Sequence, residues 1–139
     1  MADFSKIAPA VTAYDRHMKI TPVLIVDKVE PSLEFWVGRM GFEKTVDVPG
    51  EDGLSFAILV KDGAELMLQS KSSVLKDEPK FANQSRSALF VEVDDFEDVK
   101  RRLEGYSIAM PERTTFYGMR EIGVFEPGGH TVVFAAKTA

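Results

Sequence analysis

The same short pattern occurs twice in this chain, about 66 residues apart, and that repeat narrows the possible folds more than any single residue does. The first copy opens on Leu24-Ile25-Val26-Asp27, runs into Pro31-Ser32-Leu33-Glu34-Phe35-Trp36 and closes on Lys61-Asp62-Gly63-Ala64-Glu65-Leu66-Met67-Leu68. The second opens on Val91-Glu92-Val93-Asp94, runs into Glu97-Asp98-Val99-Lys100 and closes on Pro127-Gly128-Gly129-His130-Thr131-Val132-Val133-Phe134. Gly63 to Gly129 is a shift of 66 and Val26 to Val93 one of 67. Such a period means two copies of one supersecondary unit built into a shared fold. A site is then expected where the copies face each other.

Hydrophobic patterning gives each copy the order β-α-β-β-β. Ile20 to Val26 reads as a strand buried on both faces, with Pro22 near its start and Asp27 at its end. A helix follows to about Met40, with Pro31 in its first turn and Leu33, Trp36, Val37 and Met40 on one face. Gly41 suits its C-terminal stop. Phe42 to Val48 and Leu54 to Val60 read as strands around a Pro49 to Gly53 turn, and Asp62-Gly63 signals a hairpin into Glu65 to Gln69. In the second copy the elements are a strand at Ala88 to Val93 and a helix carrying Phe96, Val99 and Leu103. Strands are then expected at Ile108 to about Met110, Thr115 to Phe125 and Thr131 to Ala135. The units therefore span 19–70 and 87–137 of a single domain, 19–139. Residues 71–86 form a polar linker with room for one helical turn, and 1–18 an extension in which Val11, Tyr14 and Met18 suggest a short helix.

Composition excludes several classes of function. A chain of 139 residues makes one ordinary domain. No apolar run approaches the roughly 20 residues of a membrane span, and no signal-peptide core opens the chain. With no cysteine there is no disulfide, thiolate nucleophile or thiolate metal ligand, which fits a cytoplasmic protein. A net charge of −5 argues against nucleic acid as a partner. The one basic cluster, Lys100-Arg101-Arg102, reads as a solvated helix face between Asp98 and Glu104.

Val26-Asp27 with Ser32-Leu33-Glu34-Phe35-Trp36 and Met40-Gly41-Phe42 resembles the strand-to-helix opening of the vicinal oxygen chelate superfamily. That superfamily includes glyoxalases, bleomycin resistance proteins and extradiol dioxygenases. Phe125-Glu126-Pro127-Gly128-Gly129-His130, preceded by Tyr117-Gly118, is similar to its aspartate-proline-x-glycine turn, with Glu126 for the aspartate. The resemblance runs over most of 20–137. It implies an α+β fold of two tandem βαβββ units, curled into a cup-shaped mixed sheet with helices on the convex side. Metal-dependent members place four His or Glu ligands on the first and last strands of the two units. The matching positions here are Thr21, Met67, Ala88 and Val133, and the repeat shift relates Thr21 to Ala88 and Met67 to Val133. Ala and Val cannot coordinate and a thioether is a poor ligand for zinc, nickel or manganese, so no metal and no cofactor are expected.

The surface expected to take ligand then comprises Thr21, Val23, Met67, Gln69, Ala88, Phe90 and Val133. Tyr117 near the mouth serves equally well as a pocket residue or a structural one. Arg120 and Glu121 are neighbours on a strand, so only one faces inward; Arg120 would favour an anion and Glu121 a cation. Trp36 reads as core, and His130 as a turn or surface residue rather than a general base. His17 has no assigned role. Ser32 and Ser55 lack a His-Asp arrangement for nucleophilic work. The function this supports is metal-free binding of an aromatic or amphipathic, cationic compound, resembling bleomycin resistance proteins. A homodimer with clefts between subunits is implied by that resemblance. The alternative is a metal-dependent glyoxalase or dioxygenase with ligands relocated to residues such as Glu65 or Glu92, and a third is a metabolite-responsive regulatory module.

Overall fold

The computed structural model describes residues 18–80 and 86–138. The expected helix around Val11 and Tyr14, and His17, lie outside them. The elements run β1 (Val23–Val26), α1 (Val29–Leu33, continuing as a wider π-helical stretch Glu34–Arg39), β2 (Glu43–Gly50), β3 (Gly53–Lys61), β4 (Ala64–Ser70) and α2 (Lys71–Asp77). They continue β5 (Ala88–Glu92), α3 (Phe96–Arg102), β6 (Ile108–Thr114), β7 (Met119–Phe125) and β8 (Thr131–Lys137). The fold is α+β, with two four-stranded mixed sheets ordered β1-β4-β3-β2 and β5-β8-β7-β6. In each, the first strand pairs parallel with the fourth and the other pairs are antiparallel. The outermost strands β2 and β6 carry Pro49 and Pro111, and a residue without an N–H is tolerated at an edge.

The chain divides into two compact units. Unit 1 takes in 1–29 and 43–84, and unit 2 takes in 30–42 and 85–139. The helix of the first sequence copy thus packs with the second sheet's unit. The side chains say why. Phe35 meets Tyr106 edge to face at 5.0 Å, and the Arg39 guanidinium lies 5.2 Å from the centre of the same ring. Arg39 also donates to the carbonyls of Arg102 and Glu104, and Arg102 donates back to the carbonyl of Arg39.

In unit 1, Leu24, Val26, Leu66, Leu68, Ala57 and Leu59 are buried on one face of the sheet. The Asp62-Gly63 hairpin forms as expected, both residues taking positive φ (50° and 81°). Ser70 caps α2, its Oγ accepting the Ser73 N–H. In unit 2, Val132, Phe134, Ile122 and Val124 make the equivalent buried face, with Phe96, Val99 and Leu103 of the α3 segment also in the core.

Several elements depart from the sequence reading. The first strand begins at Val23 rather than Ile20 and is buried on one face only, with Ile20 and Val23 exposed, and β6 runs on to Thr114 rather than ending near Met110. The buried positions of the first helix are Val29, Ser32, Phe35, Trp36 and Met40, whereas Leu33 and Val37 are half-buried. Val29, Ser32, Trp36 and Met40 keep ordinary helical spacing, and Phe35 joins them in the stretch where the turn widens, Met40 N–H bonding to Phe35 O and Phe42 N–H to Trp36 O. The expected strand Thr115 to Phe125 begins only at Met119. Thr115 to Gly118 is a turn, closed by Gly118 N–H to Thr115 O and requiring positive φ (81°) at Gly118.

Candidate functional site: the open face of each sheet

Strand alternation and register place the site residues face by face. In unit 1, Val23 is in register with Met67, and Met67 with Ile58. Ile25, Gln69 and Phe56 form the next row of the same face. Thr21 precedes β1 and is half-buried. Gln69 is buried, and its amide donates to Ser73 Oγ at 3.1 Å. Glu65, one row from Met67, is held by Lys19 at 2.6 Å.

In unit 2, Phe90 is in register with Val133, and Val133 with Gly123. Ala88 stands beside Thr131 and Glu92 beside Ala135, with Glu121 on the far side of Ala135 in the same row. Phe90 is 57% exposed, so its ring is an available platform. Gly123 lets β6 approach closely: a β-carbon there would stand 3.1 Å from Met110 Cβ and 3.7 Å from Val133 Cγ2, so the space beside it is already filled. One row along, Glu121 is only 1% exposed. Its Oε1 accepts from Arg113 Nε at 3.0 Å and lies 2.9 Å from Arg113 Nη2, and its Oε2 accepts from the Tyr117 hydroxyl at 2.6 Å. The Tyr117 hydrogen bond, with the Arg113 guanidinium behind it, holds Glu121 below the usual carboxylate range against the opposing effect of burial. The same bond raises the Tyr117 phenol above its ordinary value.

The choice between Arg120 and Glu121 is settled by the register. Glu121 pairs with Ala135 and so shares the face of Val133 and Phe90. Arg120 points to the other face, 4.4 Å from the centre of the Phe96 ring, with Glu97 and Glu112 at 2.7 and 2.8 Å. Its guanidinium is spent on α3 and β6.

His130 departs from its expected place at the surface, because its ring is used to close the fold. It is buried, and Nδ1 accepts the Ser87 N–H at 2.8 Å, tying the entry of β5 to the turn before β8. Glu126, also buried, accepts the His130 N–H. Trp36 is core, as its helical spacing implies. Phe116 and Tyr117 stack edge to face on the β6–β7 turn, with Phe116 fully exposed.

Residues 17–134 match the family model for the glyoxalase/bleomycin resistance protein/dioxygenase superfamily. The chain belongs to this superfamily. A glyoxalase/bleomycin resistance protein/dioxygenase from Nocardioides is similar at 19% identity and TM-score 0.68, over 91% of this chain and 87% of the other. A bleomycin-binding protein from Streptomyces verticillus, solved with copper(II)-bleomycin, is 23% identical at TM-score 0.58 over 87% and 97%. Lactoylglutathione lyase from Agrobacterium tumefaciens is 15% identical at TM-score 0.68 over 85% and 92%. At these identities the likeness is one of fold, which binders and enzymes share. No curated protein sequence matches the chain.

The superfamily's metal-dependent members pose a direct test of donor chemistry. The positions that the resemblance matches to their ligands are Thr21, Met67, Ala88 and Val133, which offer one hydroxyl and one thioether between them. A divalent metal served by nitrogen or carboxylate oxygen does not fit that set. Among the described residues no group of three or more His, Asp or Glu side chains is placed to hold a metal ion.

Proposed function

We propose that this superfamily member is a metal-free binding protein that sequesters an aromatic or amphipathic, cationic compound without transforming it. The observation that carries the reading is the set of side chains at the four ligand positions: apolar or weakly polar where chelating members have His and Glu. An apolar face with a few placed polar groups is the usual make-up of a small-molecule site.

In unit 2 that face offers Phe90 for stacking, Val133 and Met110 for packing, and Tyr117 at the edge. Its charged residues are Glu92 and Glu121 with Arg113 and Lys137, which balance, so the cationic preference rests on the net charge of −5 for the whole chain. In unit 1, Thr21, Val23, Met67 and Gln69 contribute a similar apolar surface with one amide. The working form is a cytoplasmic homodimer with clefts between subunits, in which the fully exposed Phe116 is apolar surface for a second copy to cover. Antibiotic resistance by sequestration is the biological role this reading supplies.

The test is calorimetric titration with metal-free bleomycin in the presence of chelator, followed by mass analysis of the recovered compound. Saturable binding of bleomycin, recovered unchanged, supports the reading. A transformed product, or binding that needs added metal, sinks it.

A further inference from the structure

The turn between β7 and β8 buries two ionisable side chains, Glu126 and His130. The His130 ring accepts the Ser87 N–H through Nδ1 at 2.8 Å, and an imidazole nitrogen accepts only while it carries no proton. The neighbouring Thr131 N–H bonds to Ser87 O at 3.0 Å. Ser87 is therefore held by both its N–H and its carbonyl where β5 enters the sheet, and one of the two bonds requires a neutral ring. β5 is at the edge of its sheet, with β8 on one side, so this entry is where the strand is most easily released.

Glu126 offers the ring a second partner. Its Oε1 accepts the His130 N–H at 3.3 Å, while Oε2 is buried with no hydrogen-bond partner among the described residues. A buried carboxylate oxygen without a donor is costly, and such a group in a folded chain calls for a reason. The carboxylate already touches the backbone of residue 130, so a proton placed on the ring finds a negative acceptor on the same turn. Arg86, on the approach to β5, acts in the opposite sense. Its side chain lies across Gly129, where a β-carbon would come within 2.8 Å of Arg86 Nε, and its charge opposes a second positive charge on the ring. Ser87 itself is exposed, so its N–H, once released, is taken up by water and the change stays local.

We propose that His130 and Glu126 form a proton-operated latch on β5. The neutral ring holds the Ser87 N–H and keeps the strand entry closed. Protonation turns Nδ1 from acceptor to donor, releases the Ser87 N–H to solvent and pairs the imidazolium with Glu126 Oε2. The first residues of β5 then loosen, and with them Ala88 and Phe90, which stand against Thr131 and Val133 of β8. Acid thus weakens the hold on a ligand at Phe90, a consequence that rests on the function proposed above; the latch itself does not. Histidine ordinarily changes charge between about pH 5 and 8, so the latch is closed at the upper end of that window and open at the lower.

The experiment follows the full, isotope-labelled chain by NMR from about pH 8 to about pH 5. It reads the His130 ring signals together with the exchange protection of the Ser87 amide, corrected for the intrinsic effect of pH on exchange. His130→Asn is the control, because its carboxamide oxygen accepts the Ser87 N–H at every pH. In the wild type, Ser87 protection should fall several-fold in step with the ring titration; in His130→Asn it should stay level. Glu126→Gln keeps an acceptor for the His130 N–H but removes the charge, and should move the transition to lower pH. A ring that titrates without change at Ser87, or one that does not titrate in this window, overturns the proposal. So does an equal fall in His130→Asn, or an unmoved transition in Glu126→Gln. If His130→Asn does not fold, the wild type and Glu126→Gln decide by the same criteria. Affinity for metal-free bleomycin, measured at both ends of the window, should be several-fold weaker in acid. No bleomycin binding at either pH, with the Ser87 response intact, supports the latch and counts against the proposed function.

Discussion

The phenol of Tyr117 and the carboxylate of Glu121 are joined by a 2.6 Å hydrogen bond that spans the turn into β7 and reaches a nearly inaccessible oxygen. Together with Arg113 this contact keeps Glu121 ionised on the face that also carries Phe90 and Val133. Because Glu121 titrates lower in the folded chain than in the unfolded one, it adds stability above the ordinary carboxylate pKa. That contribution is lost as pH falls through the folded-state value. Tyr117→Phe should move the Glu121 titration upward toward the usual glutamate range and shrink the acid-side loss of stability. Carboxyl-detected NMR titration of both proteins checks this; an unmoved Glu121 titration would mean that Arg113 alone holds the charge.

Phe90 is the most accessible aromatic ring on a regular strand of the second sheet, and charge there should cost binding rather than folding. Phe90→Asp is expected to leave the far-ultraviolet circular dichroism spectrum and melting cooperativity intact while lowering ligand affinity at least tenfold. Its 57% exposure is the reason the fold survives. Wild-type affinity in this variant would remove Phe90 from the site.

Gly123 tests whether the close approach of Met110 to β7 matters to stability and to the ligand face. Its backbone does not need glycine for φ, but a β-carbon meets Met110 Cβ at 3.1 Å. Gly123→Val should therefore cost about 1–3 kcal/mol by overpacking, measured by urea unfolding, and should weaken ligand binding as well. A variant of full stability and full affinity would show that the contact is not tight and that this part of the face does not meet ligand.

Arg39 tests the pairing of the first helix with the second sheet's unit. Arg39→Ala removes two hydrogen bonds to carbonyls and the cation–π contact with Tyr106. A loss of about 1–2 kcal/mol is expected, with faster amide exchange in α1 and at Arg102 to Tyr106. Exchange accelerated elsewhere but not in these two segments would contradict the assignment of α1.

The β-α-β-β-β order was legible because strand alternation, Asp62-Gly63 and the glycine turn before Thr131 are local signals, each repeated at one interval. The full buried face of the first helix was not: Phe35 joins Trp36 in the core within the stretch where the turn widens to Met40 N–H to Phe35 O, which no spacing rule for an ordinary helix contains, and Ser32 is a polar residue that patterning by hydrophobicity passes over. Phe116 and Tyr117 look like strand residues by composition, and the turn there depends on a single positive φ at Gly118. His130 reads as a surface residue until the Ser87 N–H, 43 positions away in sequence, is brought to its ring. For Arg120 and Glu121 the sequence offered two faces and no register; pairing of Glu121 with Ala135 supplies it.

The central claim is that the apolar residues at the superfamily's ligand positions bind a compound without a metal. It is tested most directly by native mass spectrometry of untagged protein purified without chelator and then mixed with metal-free bleomycin. The account predicts a dimer with no metal mass, plus adducts of intact bleomycin up to one per cleft. A stoichiometric metal retained on the dimer, or bleomycin adducts that appear only after metal is added, would contradict it.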